Sequence, residues 1–151
     1  MSVERNEVLA RRAIGIWTSG DVEAADEIYA PGYVNHQHSH PAAGGLRGVE
    51  AMKRFAAEFR SAFPNFRNSI DDQVAEGDRV VTRFKSRGTH KGRFLGLAPT
   101  HREITWTGIT IDRVADGRIA ESWASWDMPG MLQQLGAAAW PGDAPGAARD
   151  R

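Results

Sequence analysis

The chain has no cysteine, which excludes a disulfide framework, a thiolate nucleophile and a Cys-ligated zinc. Neither charge is in excess. Nineteen Lys and Arg balance nineteen Asp and Glu, so there is no overall field to hold nucleic acid or an anionic membrane. No apolar run approaches the ~20 residues that a bilayer span needs, and the N-terminal MSVERNEVLARR lacks the apolar core of a secretory signal. These absences predict a cytoplasmic protein without nucleic-acid or membrane partners. What is present, 151 residues with 41% hydrophobic and 25% charged, is the composition of one globular domain.

Three helices are expected first. Leu9, Ala13, Ile16 and Trp17 recur at three- and four-residue steps from Ser2 to Ser19, with Gly20 as the left-handed stop. Asp21 is placed to cap a short second helix carrying Val22, Ala25, Ile28 and Tyr29, which Pro31-Gly32 ends. After the extended Tyr33-Val34-Asn35-His36, residues 37–47 hold Gly, Pro, Ser and His without period and read as a mobile loop. The third helix runs from Val49 to Phe63 and stops before Pro64. From Phe66 to Asp127 the chain reads as strands, with turns at Glu76-Gly77-Asp78 and Asp116-Gly117. Ile104, Trp106 and Gly108 alternate there with Thr105, Thr107 and Ile109. A short helix follows near Gly130 to Leu135, and the tail 137–151 reads as disordered. The expected architecture is α+β: a curved antiparallel sheet of about four to six strands whose three N-terminal helices enclose a cone-shaped pocket within residues 1–136.

Several segments, in order and spacing, resemble the SnoaL-like polyketide cyclases of the nuclear-transport-factor-2-like cone fold. They are Tyr33-Val34-Asn35-His36, Gly48 through Ala62-Phe63-Pro64, and Glu76-Gly77-Asp78-Arg79-Val80. Gly88-Thr89-His90 with Gly92, Phe94 and Gly96, then Pro99-Thr100 and Asp116-Gly117-Arg118-Ile119, continue the match. Glu121, Trp123, Asp127 and Gln134-Leu135-Gly136 complete it. The chain departs from the pattern at His101, where glycine usually follows Pro-Thr, and at Ser122, where many members have histidine.

The resemblance implies a cofactor-free cyclase that closes a ring in a polyketide-type carbonyl compound by aldol chemistry. It also implies that Asp127, in the Trp-x-x-x-Asp segment, takes and returns the proton. Burial among aromatic side chains would raise its pKa towards working pH; the alternative for Asp127 is to cap the helix after it. Asn35 would hydrogen-bond a substrate oxygen or the developing enolate, or serve as a turn residue. Tyr33, Phe59, His90, Trp106 and Trp123 are expected substrate contacts, with Trp123, Ser125 and Asp127 on one face of their strand. Trp126 should point the other way, towards a subunit contact, in a homo-oligomer. His36, His38 and His40 are spaced along an extended segment in a way that does not converge on a metal, so no metal site is expected. The basic run Arg79, Arg83, Lys85 and Arg87 reads as a solvated face. The remaining readings are a non-catalytic small-molecule binder and, on the same fold, a hydrolase, hydroxylase, isomerase or pericyclic-type ring-forming enzyme.

Overall fold

The computed structural model describes residues 2–37 and 46–137. His38, His40, most of the loop expected over residues 37–47 and nearly all of the expected tail lie outside them. Helix α1 (Val3–Ser19) starts where the Ser2 hydroxyl accepts from the Arg5 amide at 3.1 Å and ends at Gly20, whose φ of 75° is left-handed. It buries Leu9, Ala10, Ala13 and Ile16. The Arg60 guanidinium donates to the last free carbonyls of α1, Trp17 at 2.7 Å and Thr18 at 2.8 Å.

The second helix is shorter than its sequence suggests. A 3-10 turn (Val22–Ala24) precedes a single helical turn, α2 (Ala25–Ile28), and the Asp21 side chain makes no capping bond. Tyr29 is already extended and opens strand β1 (Tyr29–Gln37). Pro31-Gly32 therefore sits in a strand irregularity, between the pairs Tyr29 with Ile119 and Val34 with Glu121. After the two-residue β2 (Leu46–Arg47), helix α3 (Val49–Ala62) buries Met52, Phe55, Ala56, Phe59 and Ala62.

Four longer strands follow: β3 (Arg67–Glu76), β4 (Arg79–Thr89), β5 (Glu103–Ala115) and β6 (Arg118–Trp126). The short α4 (Met128–Gln134) comes after them. The sheet has six strands in the order β2-β1-β6-β5-β4-β3. It is mixed rather than wholly antiparallel, because β1 runs parallel to β6. That pairing joins segments some 85 residues apart, a long-range contact that no local pattern encodes. The helices lie over one face, and the sheet curves around them without closing.

Two apolar clusters fill the concave side. One gathers Leu9, Ile16, Ile28, Tyr29, Tyr33 and Ile119, the other Phe59, Phe63, Phe66, Trp106, Met128 and Met131, and Trp17 packs against both. The opposite face is helix-free. It carries the exposed Ile109 and Val74 and the exposed Arg79, Arg83, Lys85 and Arg87. Arg83 pairs with Asp71 at 3.4 Å, Arg87 pairs with Glu103, and the Arg79 guanidinium lies 5.2 Å over the Trp123 ring.

His101 has a φ of 59°. The usual glycine of the family is thus explained by backbone geometry, since a residue with a Cβ pays roughly 1 kcal/mol there. His101 is exposed, so its departure from the pattern marks a strained turn and not a ligand contact. Replacing His101 with glycine should raise stability by up to about 1 kcal/mol in a urea titration, the greater freedom of unfolded glycine offsetting part of the gain.

Candidate active site

One cavity, about 650 Å³ including its open mouth, lies between the helices and the sheet. Its body is aromatic, with Trp17, Phe55, Phe59, Phe66, Trp106 and Trp126 in the wall. Phe59 is central, with ring centroids of Trp17, Phe63, Phe66, Phe94 and Trp106 all within 6 Å. Gly108 leaves room for the Phe84 ring, which also lines the cavity; a Cβ there would lie 2.4 Å from the Phe84 ring tip.

The polar end is built by three neighbouring strands. On β5 the alternation that begins at Ile104 continues through Trp106, Gly108 and Thr110 to Asp112, all buried on the inner face. Asp112 pairs in register with Ser122 of β6, and Ser122 with Asn35 of β1. The Ser122 hydroxyl donates to Asp112 Oδ1 at 2.5 Å. The Tyr33 phenol lies beside Ser122 and accepts from the Asn35 amide. The Ser122 hydrogen bond ends on the carboxyl group.

Asp112 is 4% exposed and is the one carboxylate in the cavity wall among the described residues. Burial pushes its pKa from 3.8 up to about 6, and the Ser122 hydrogen bond opposes part of that rise. Burial also holds the Tyr33 and Tyr29 phenols well above their ordinary value, so both stay neutral. Among the described residues no group of three His, Cys, Asp or Glu is placed to hold a metal.

Of the residues expected in the site, Tyr33, Asn35, Phe59 and Trp106 line the cavity. The Asn35 amide nitrogen is directed to Tyr33, so what it turns elsewhere is its oxygen. His90 is fully buried outside the wall, where its Nδ1 accepts from the Thr100 amide at 3.2 Å and its ring packs on Phe63. Burial lowers its pKa. Its place is structural.

Trp123 and Trp126 exchange the positions expected of them. Trp126 is in the cavity wall, whereas Trp123 is on the outer face, stacked on His36 at 5.4 Å. The cause is a β-bulge: Val114 pairs with Ile119 but Arg113 with Glu121. Ala120 is the extra residue, and after it the inward parity changes from Ile119 to Ser122, Ala124 and Trp126. Asp127, beyond the strand, is exposed; its Oδ1 accepts from the Gly130 amide at 2.9 Å as the N-cap of α4. The capping alternative for Asp127 has this geometry, and Asp127 is not in the cavity wall.

The residue that sequence reasoning passed over is Asp112. The signal was available. Two more steps along the alternation that marks Ile104, Trp106 and Gly108 as inward reach it.

A helix-lined, half-open sheet around a cavity defines the α+β cone class, a fold on which function is decided by the site it carries. Within that class, residues 7–135 match the model of the SnoaL-like polyketide cyclase family, and the chain belongs to that family. It is 28% identical over 134 residues to the nogalonic acid methyl ester cyclase of Streptomyces nogalater, covering 86% of this chain and 96% of that one. Among solved structures, IdmH of Streptomyces antibioticus, a candidate polyketide cyclase, is 34% identical with a TM-score of 0.76, over 87% of this chain and 98% of that one. TsrD of Streptomyces laurentii is 27% identical with a TM-score of 0.81, over 91% and 99%.

Proposed function

We propose that the cavity closes a ring in a polyketide-type carbonyl compound and that Asp112 is its acid–base group. The observation that carries this is a single carboxyl group, buried at the end of an aromatic chamber, whose pKa of about 6 lies near working pH. Such a group loses and regains a proton readily. In the aldol step, the Asp112 carboxylate removes a proton from a carbon flanked by carbonyls. The electron pair left on that carbon attacks a second carbonyl carbon of the same molecule, forming the C–C bond as the carbonyl π bond breaks to an alkoxide. The alkoxide then takes the proton back from Asp112, so the protein ends as it began and no co-reactant is consumed.

Ser122, with Tyr33 behind it, supports the charged form of Asp112 by donation; the aromatic wall folds the substrate into a reactive shape and excludes water. Family membership and the cyclase relative support this assignment.

Nogalonic acid methyl ester is a suitable first substrate probe. Conversion should require the carboxylate, so kcat/KM should rise tenfold per pH step below about 6 and level off above it. A profile that is flat from pH 4.5 to 8 would remove Asp112 from the chemistry. Loss of turnover in Asp127→Asn with turnover kept in Asp112→Asn would return the role to Asp127. A probe that binds and is recovered unchanged from the wild-type protein would make the chamber a carrier site.

A further inference from the structure

Two polar atoms of the cavity wall have no part in the proposed proton transfer. Gln37, the last residue of β1, is 5% exposed and lines the cavity, and its Oε1 has no hydrogen-bond partner among the described residues. The same holds for Oδ1 of Asn35, which is 4% exposed and two residues earlier on the same face. A buried carbonyl oxygen without a donor costs about 1–3 kcal/mol, and native proteins leave few of them. Two adjacent ones in a cavity wall point to donors brought by a ligand.

The surroundings say where those donors sit. Gln37 pairs in register with Ala124, and Ala124 with Thr110. Ala124 has the smallest side chain of this inner row, and Gln37, Thr110 and Ser122 line the cavity around it. The Asn35 orientation is set from behind, because its nitrogen is engaged by Tyr33. No Lys or Arg is in the cavity wall, whereas Asp112 is. This end of the cavity therefore disfavours a carboxylate or a bare carbonyl edge and suits neutral O–H groups.

We propose that Asn35 and Gln37 form a hydroxyl-recognition subsite, which takes the phenol or enol O–H groups on one edge of a ring whose apolar body lies in the aromatic sleeve. This rests on the cavity being the substrate site, but it is a statement about binding, so its test needs no turnover.

The test is quenching of protein tryptophan fluorescence, since Trp17, Trp106 and Trp126 all line the cavity. The probes are 1,3-dihydroxynaphthalene and 1,3-dimethylnaphthalene, which share a shape and differ in donors. The quantity read is the ratio of their Kd values, methyl over hydroxyl. Gln37→Met, which keeps length and removes the amide, should lower the ratio about fivefold, the worth of one hydrogen bond. Asn35→Leu should lower it similarly. Gln37→Glu, which retains an acceptor, should keep the wild-type ratio and covers the case in which the methionine variant does not fold. Asp112→Asn should also keep it, even where turnover is lost.

An unchanged ratio in folded Gln37→Met and Asn35→Leu, or a lowered one in Gln37→Glu, overturns the subsite while leaving the cavity as a ligand site. Failure of the wild-type protein to bind either probe overturns the subsite and the proposed substrate site together.

Discussion

Replacing Asp112 with asparagine should lower turnover by about 10²–10⁴-fold, the usual contribution of a positioned acid–base group, and should at the same time make the protein more stable above pH 6. Both effects have one origin. The folded-state pKa of Asp112 is raised from 3.8 to about 6, so the folded protein holds this proton more tightly than the unfolded chain does. As pH rises from about 4 to 6 the unfolded chain releases the proton first, and stability falls through that window. Above it the buried charge carries a constant penalty of about 3 kcal/mol, the equivalent of that shift. Asparagine still accepts from Ser122 and has no charge to bury. The stability difference between variant and wild type, measured by urea unfolding, should therefore open by about 3 kcal/mol between pH 4 and pH 8. A difference that does not vary with pH would show that Asp112 does not titrate in this range. The pairing of lost turnover with gained stability is the signature of a group kept for chemistry, because a structural carboxylate would lose on both counts.

Phe59→Ala should be the most destabilising change in the chamber wall, at about 3–5 kcal/mol. Phe59 is 6% exposed and packs against five aromatic rings, drawn from α1, β5, the residue that caps α3 and the segments flanking β3 and β4. Removing it takes away its own burial and leaves a void that the tilted and edge-on rings around it cannot close, since their positions are fixed by one another. The measurement is the urea midpoint at constant m-value. A loss under 2 kcal/mol would mean that Trp17 and Trp106 collapse into the space. Phe59→Leu should cost less than half as much, as leucine refills most of the volume.

Much of this architecture is legible in the residues. The stripes on α1 and α3, the left-handed Gly20 and the Asp116-Gly117 turn follow from local rules, and the structure has each of them. Family membership was legible too, because it is carried by many short segments in order. The site was legible only in part. Tyr33, Asn35, Phe59 and Trp106 line the cavity. Asp127 resembles a strand-end acid, yet an aspartate three residues before a glycine amide at a helix start satisfies capping equally well, and only coordinates separate the two. Asp112 was hidden by its type: an aspartate in a β-branched run is taken for an outward residue unless the alternation is followed to its end. The parallel neighbour of β1 and the bulge in β6 were out of reach, since both are properties of strand pairing.

That bulge makes the lining of the chamber a matter of residue count. Between the Asp116-Gly117 turn and Ser122, one residue more or less would rotate the remainder of β6, bringing Glu121, Trp123 and Ser125 indoors and sending Ser122 and Trp126 outdoors. The backbone path would hardly change. A scaffold with such a ratchet can trade one set of interior groups for another in a single insertion or deletion, without touching the helices that roof it, and chemistry can thus diversify on it faster than shape.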